Sequence, residues 1–208
     1  MHKLTIVFSA LAATALGLAL GAAVAPDRLP ELPGARVLPD PRPLGRFELV
    51  DHAGESLTPE RLRGRWTFVF LGYSHCPDVC PTTLGTLNAL DERLQSSSAA
   101  PDTHYLFVSV DPRRDTPARL REYVTYFNEG FLGATGTPQA LAGFARDLGL
   151  AFEVPKRPET DDYPVSHSAY VALIGPEGRL QAYFSPPHEA GTMAAAYQAI
   201  REHREGWW

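Results

Sequence analysis

The chain is poor in sulfur, and it nowhere concentrates positive charge. Two cysteines in 208 residues cannot build a structural zinc site of four thiolates. The 19 Lys and Arg are scattered, and the formal net charge is −5. Without a basic stretch, nothing marks a nucleic-acid partner. There is no internal repeat and no long low-complexity run, so the length fits one domain with some residues left over. The 44% hydrophobic and 21% charged residues are a globular composition. Nineteen prolines and 17 glycines call for many turns and short elements.

Charge is almost absent from residues 1–25, MHKLTIVFSALAATALGLALGAAVA, where Lys3 is the one formally charged side chain. The 22 uncharged residues from Leu4 to Ala25 suffice to cross a bilayer core of roughly 30 Å. Two readings stay open. One is an uncleaved membrane anchor. The other is a signal peptide cut at the A-x-A-like Ala23, Val24, Ala25. The length favours the anchor, and Pro26 is an awkward residue to follow a cut. Lys3 holds the short N-terminus inside, so either reading places the remainder outside the cytoplasm, where a disulfide can persist. Without Lys3, that remainder carries −6. No cysteine lies in the apolar segment, which excludes a cysteine-linked lipid there.

Residues 26–43 hold six prolines and read as an extended tether. The folded domain is then expected over 44–208. GRFELVDHAGESLTPERLRGR alternates apolar and polar residues around an Ala-Gly turn, the pattern of a β-hairpin. WTFVFLGY, residues 66–73, is a nearly continuous apolar run, which fits a central strand covered on both faces. Helical spacing follows in Leu84, Leu87, Leu90 and Leu94, predicting a helix over 82–94. It recurs in Leu120, Tyr123, Val124 and Phe127, behind Thr116 as N-cap and Pro117 at the first helical position. It recurs again in Leu141, Phe144, Ala145 and Leu148, behind Thr137 and Pro138, with Gly149 as terminator. Met193, Ala196, Tyr197 and Ile200 complete the set. HYLFVSV, AYVALI and RLQAYF read as strands, the last two joined by the turn GPEG. A βαβ unit followed by an antiparallel hairpin and a final helix predicts an α/β, thioredoxin-like fold. It would be a central mixed sheet flanked by helices, with an N-terminal hairpin and an extra helical insertion.

Both cysteines, Cys76 and Cys80, fall just past the carboxyl end of the central strand, where α/β folds place their sites. They also fall at the amino end of a helix, which favours thiolates. At i, i+4 spacing the two sulfurs can share one face. They can form a disulfide, act as a redox couple, or bind one metal. Two thiolates leave a metal under-coordinated, and copper(I) accepts soft ligands in low number. Of seven histidines, His75 should point away from its neighbour Cys76, and His2, His52, His104, His188 and His203 sit elsewhere. His167, at the start of a strand after a Pro-containing loop, is the candidate third ligand from topology.

Four stretches, GYSHCPDVCPTTL, FVSVDPRRDTP, GATGTPQALAGFARDLGL and SHSAYVALIGPEGRL, resemble in order the signatures of the Sco/SenC family of copper metallochaperones. The resemblance implies a thioredoxin-like fold on a membrane tether. It implies one copper per chain, Cu(I) or Cu(II), held by Cys76, Cys80 and His167. It further implies that Cys76 and Cys80 are a redox-active pair able to close as a disulfide. The implied partner is cytochrome c oxidase subunit II, whose dinuclear copper centre the family helps assemble by delivering copper, by reducing that subunit's cysteines, or both. Other periplasmic copper chaperones or thioredoxin-like reductants would be further partners. The implied location is the bacterial cytoplasmic membrane with the domain in the periplasm, or the periplasm itself if the signal is cleaved. A monomer is expected. In one respect the chain departs from the family: Ser166 stands where an Asp commonly precedes the ligand histidine.

Other readings remain. A purely redox thiol–disulfide oxidoreductase would need the cysteines and not His167. A copper or redox sensor would share the site but lacks any output domain. A peroxiredoxin-like peroxidase is disfavoured, because its P-x-x-x-T-x-x-C pattern is missing before Cys76. Asp111 and Arg114 are expected to brace a turn, Tyr73 to pack at a strand end, and Asp78 to start a helix or face a partner.

Overall fold

The run at 66–72 has one polar side chain, Thr67, which is itself buried, and it becomes the middle of the sheet. The computed structural model describes residues 31–95, 102–155, 160 and 162–205. Along it run β1 (Ala35–Pro43), β2 (Leu49–Asp51), β3 (Ser56–Leu57), α1 (Pro59–Leu62), β4 (Trp66–Gly72) and α2 (Val79–Leu94). Then come β5 (Thr103–Ser109), α3 (Pro117–Phe127), β6 (Leu132–Thr135), α4 (Pro138–Asp147) and β7 (Phe152–Glu153). The last elements are β8 (Ser166–His167), β9 (Val171–Ile174), β10 (Arg179–Phe184) and α5 (Ala190–Glu205).

Eight strands form one sheet in the order β1-β10-β9-β4-β5-β6-β2-β3, and β7 pairs with β8 in a separate ribbon. β4, β5 and β6 are parallel, as crossovers through α2 and α3 require, whereas β9 runs antiparallel to β4. The architecture is the thioredoxin-like α/β fold, a mixed sheet with flanking helices. All seven residues of β4 are buried, so side chains of both parities meet apolar neighbours. Phe68 stacks on Tyr105 at 5.5 Å and meets Tyr197 of α5 edge-on at 5.0 Å. Burying such a ring contributes about 1.5–3 kcal/mol. The expected apolar stripe of α5, Met193, Ala196, Tyr197 and Ile200, is buried throughout.

Local signals act where they were expected. Thr116 and Thr137 side chains accept the N–H groups of Arg119 and Ala140, capping α3 and α4. Gly149, at φ +66°, takes the left-handed conformation past α4. The hairpin β2–β3 forms with Leu49 opposite Leu57. Its turn is fastened by buried Asp51, which accepts the N–H groups of Ala53 and Glu55 and pairs with Arg61.

Three features differ from the sequence reading. Residues 35–43, expected within the tether, form an edge strand against β10, with a register shift between Val37 and Arg42. Prolines 39 and 41 lie inside that irregularity. An edge strand or a bulge is where a sheet admits residues that lack an N–H. Next, α2 begins at Val79, ahead of the expected 82. Pro81 lies in its first turn, where N–H groups have no intrahelical partner to lose, so Cys80 becomes a helical residue. Finally, the two-residue strands β7 and β8 are too short to show periodicity. The expected apolar segment at 1–25, part of the tether and the terminal GWW lie outside the described residues. No described helix is long and apolar enough to cross a membrane.

β1 contributes its backbone to β10, and Arg204 donates to the Leu38 carbonyl at 2.8 Å. A chain beginning at residue 44 loses several backbone hydrogen bonds, each worth about 1 kcal/mol net. At about 2–4 °C per kcal/mol for a domain of this size, the loss of about 3 kcal/mol is expected to lower its thermal midpoint by roughly 6–12 °C relative to a chain beginning at residue 31. Equal midpoints would contradict a structural role for β1.

Candidate metal centre

At the carboxyl end of β4 only a glycine fits. A Cβ on Gly72 would meet Phe107 Cε2 at 2.6 Å and Cys80 Sγ at 2.8 Å, far inside contact distance. The bare backbone lets a sulfur settle against the sheet. The chain then turns tightly, with the Cys76 N–H donating to the Tyr73 carbonyl at 3.2 Å. Cys76 precedes the helix and is half-buried, while Cys80 lies in the first turn of α2 and is fully buried. The Cys80 N–H donates to Cys76 Sγ at 3.4 Å.

His167 arrives from the β7–β8 ribbon, where it stands opposite Phe152. Ser168 fastens the end of that ribbon, donating its N–H to the Ala151 carbonyl at 2.8 Å and accepting the Ala151 N–H at 2.9 Å. The His167 Nε2 lies 3.4 Å from Cys80 Sγ, and its Nδ1 lies 3.1 Å from the Ser168 carbonyl. A carbonyl only accepts, so Nδ1 carries the proton and Nε2 turns its lone pair toward the sulfur. Phe70 and Tyr73 meet the imidazole edge-on at 5.7 and 6.1 Å and fence its rotation. Tyr73, expected to pack at the strand end, therefore packs against the candidate ligand.

The ligand atoms of Cys76, Cys80 and His167 lie within 4.8 Å of one another. With metal–ligand bonds of about 2.0–2.3 Å, donors to one ion stand at most about 4.6 Å apart. Little movement would let these three share an ion. Two sulfurs and one imidazole, with no carboxylate among them, are a soft donor set that suits copper(I) and falls one ligand short of structural zinc.

Burial sets the protonation of the site. It pushes the Cys80 thiol well up, and the neighbouring Cys76 and Asp115 add to the rise. The expectation that the helix end would favour a thiolate at both positions is thus corrected for Cys80. Desolvating the charge is the largest influence on this thiol and acts against the thiolate. A metal ion would have to displace this proton. Burial also holds the His167 imidazole below its ordinary value, against the opposing Ser168 carbonyl.

Two buried carboxylates support the loop. Asp111 pairs with Arg114 and accepts the Tyr163 hydroxyl at 2.8 Å. The Arg114 guanidinium lies 3.6 Å from the Tyr163 ring centre and 5.4 Å from that of Tyr73. The expected brace is therefore present, and it extends through Tyr73 to His167. Asp115 was not singled out from the sequence. It accepts the Ser74 N–H at 2.8 Å, the Ser74 hydroxyl at 2.6 Å and the Ser109 hydroxyl at 2.5 Å. It thereby ties the loop before Cys76 to the end of β5. A second acid beside Thr116 and Pro117, just past a strand end, was the signal available. His75 is exposed and lies outside the three-donor group, as expected. Asp78 stands at the N-cap position without a side-chain capping bond. Ser166 is exposed and opposite Glu153.

A family model described as SCO1/SenC matches residues 38–202. The chain belongs to the SCO1/SenC family. A protein of Stutzerimonas stutzeri whose name describes it as copper-binding is 38% identical over 151 residues, covering 73% of each chain. The human mitochondrial protein SCO1 homolog is 35% identical over 152 residues, covering 73% of this chain. This chain spans 50% of the length of that human relative. Among solved SCO1/SenC structures, yeast Sco1 with copper bound superposes with TM-score 0.70 at 32% identity, covering 79% of this chain and 90% of the yeast chain. Arabidopsis thaliana ScoI with copper bound gives 0.69 at 31%, covering 77% of this chain and 98% of the other.

His52, His104, His167 and His188 are all held below the ordinary imidazole value of 6.5, chiefly by burial. Between that value and their lower folded values, the unfolded chain binds more protons, so stability falls as pH falls through this window. The denaturant midpoint of the metal-free protein is expected to drop from pH 7.5 to pH 5, and to drop less in His188→Gln. A midpoint that stays level or rises on acidification would contradict this.

Proposed function

We propose that this protein binds one copper ion through Cys76, Cys80 and His167, carries it as cargo, and helps assemble the dinuclear copper centre of cytochrome c oxidase subunit II. The observation that carries the reading is the meeting of two sulfurs and a lone-pair imidazole nitrogen within 4.8 Å. Copper-bound relatives of the same fold support the choice of metal, and the family resemblance supports the choice of recipient. The buried Cys80 sulfur shields one side of the ion from water, while Cys76 and His167, both half-buried, leave a side open for exchange. The domain would act outside the cytoplasm, held to the bacterial membrane through residues 1–25.

The pair also suits thiol chemistry. A half-exposed Cys76 standing before a buried Cys80 can attack a disulfide and be released by closure of a Cys76–Cys80 bond. Reduction of the recipient's cysteines and delivery of copper to them would then be two uses of one site.

Anaerobic titration of the reduced protein against a competing chelator is expected to show one Cu(I) per chain. Cys76→Ser and Cys80→Ser should abolish stoichiometric binding. His167→Ala should weaken it at least as much as the 10–100-fold loss that follows removal of an outer-sphere partner. Wild-type affinity in His167→Ala, with activity lost only in the cysteine variants, would favour a purely redox protein.

A further inference from the structure

The chain carries more acid than base, with a formal net charge of −5, yet the charged side chains lining one groove are all basic. The groove, of about 580 Å³, is bounded by α4, the loop after β5 and the β7–β8 ribbon. Its lining is mainly apolar, and among the described residues it includes no Asp or Glu. Arg113 enters it from the loop after β5 and Arg146 from the last turn of α4, and both are exposed. Phe152 of β7 and Val154 also line it, as residues two apart on an extended chain can, because their side chains share a face. Tyr163 supplies a fixed wall. It is buried, its hydroxyl donates to Asp111 at 2.8 Å, and the Arg114 guanidinium lies 3.6 Å from its ring centre. Arg113 lies 5.9 Å from the same ring. Aromatic and arginine side chains without acids are what protein interfaces concentrate at their centres. Exposed Ala142, beside Arg146 on α4, belongs to a rim open to solvent.

The groove adjoins the candidate metal centre. Phe152 stands opposite His167 in the β7–β8 pairing, and residues directly opposite on paired strands have Cβ atoms about 4.5–5.5 Å apart. Tyr163 is linked to His167 through Arg114 and Tyr73. A chain seated in the groove therefore touches the elements that hold the third ligand. We propose that the groove docks an extended acidic segment of the protein that receives copper from the Cys76, Cys80, His167 site. This inference rests on the copper reading above. Apolar side chains of the segment pack on Phe152 and Val154. Flanking carboxylates meet the Arg113 and Arg146 guanidiniums, whose planar forks match carboxylate geometry. The Tyr163 wall is already braced in the free protein, so docking requires little new ordering there.

The probe is a fluorescein-labelled acidic hexapeptide, Asp-Glu-Leu-Phe-Asp-Glu. Its anisotropy is followed with the reduced, metal-free, full-length protein in detergent, against micelles alone. Saturable binding that weakens with added salt is expected. Arg146→Glu is expected to weaken it at least about tenfold by placing like charges together. Ala142→Trp, which fills the groove and keeps both arginines, should weaken it as much. The basic peptide Lys-Lys-Leu-Phe-Lys-Lys is expected to bind more weakly than the acidic one, although the net charge of the chain favours it. Saturation with the acidic peptide should also move the His167 ring resonances. Thermal midpoints confirm that each variant is folded. No binding of the acidic peptide, undiminished binding in both variants, or preference for the basic peptide overturns the proposal. So do His167 resonances that stay still. N-acetylphenylalanine binding as tightly as the hexapeptide would assign the groove to small carboxylates and overturn it too. Cu(I) uptake, titrated on the same samples, separates the two readings. Uptake without peptide binding removes the docking site alone, whereas peptide binding without uptake removes the copper reading and the recipient named here.

Discussion

A sulfur pressed against bare backbone organises this molecule. Cys80 Sγ can reach the sheet because Gly72 has no side chain, and several features hang on that contact. The contact draws the start of α2 down onto the end of β4. It buries the thiol deeply enough to push its proton affinity well up. It also leaves Cys76 on the outer side of the pair, where the preceding turn holds it. The same sulfur is the landing point for His167, which crosses to it from a ribbon outside the main sheet. One close approach thus joins the central strand, the helix that follows it, and a loop 87 residues further along the chain.

The polar scaffolding explains why the approach is stable. Asp111 and Asp115 are both fully buried, and each is surrounded by donors, as buried carboxylates must be. Asp115 anchors the cysteine loop through Ser74, and Asp111 anchors the histidine side through Tyr163, Arg114 and Tyr73. Both acids come from the one loop after β5, so a single segment sets the two halves of the site against each other. No carboxylate joins the three-donor group, although Asp115 lies close enough to push the Cys80 thiol further up. His75 belongs to the same network on its exposed side.

Much of this could be read from the residues alone. The nearly continuous apolar run of β4, the Thr-Pro openings of α3 and α4 and the stripe of α5 are strong local patterns, and local patterns dictate local structure. The cysteines were legible as the two in the chain, and His167, one of seven histidines, from its place at a strand start and from the family resemblance. What escaped was non-local or too short to be periodic. β1 was obscured by its prolines, which suit an edge as well as they suit a tether. The β7–β8 ribbon has two residues a side and no pattern to detect. The burial of Cys80 follows from contacts with Gly72 and His167 that no spacing reveals. Asp115 matters through donors on two other segments, invisible until those segments are brought together.

X-ray absorption at the copper edge of the reduced, singly loaded protein is the most direct test that this meeting of segments makes a copper site. The predicted shell is two sulfurs and one imidazole nitrogen, with the nitrogen lost in His167→Ala and no second metal nearby. A shell of nitrogen and oxygen alone, or one that is unchanged in His167→Ala, would contradict it.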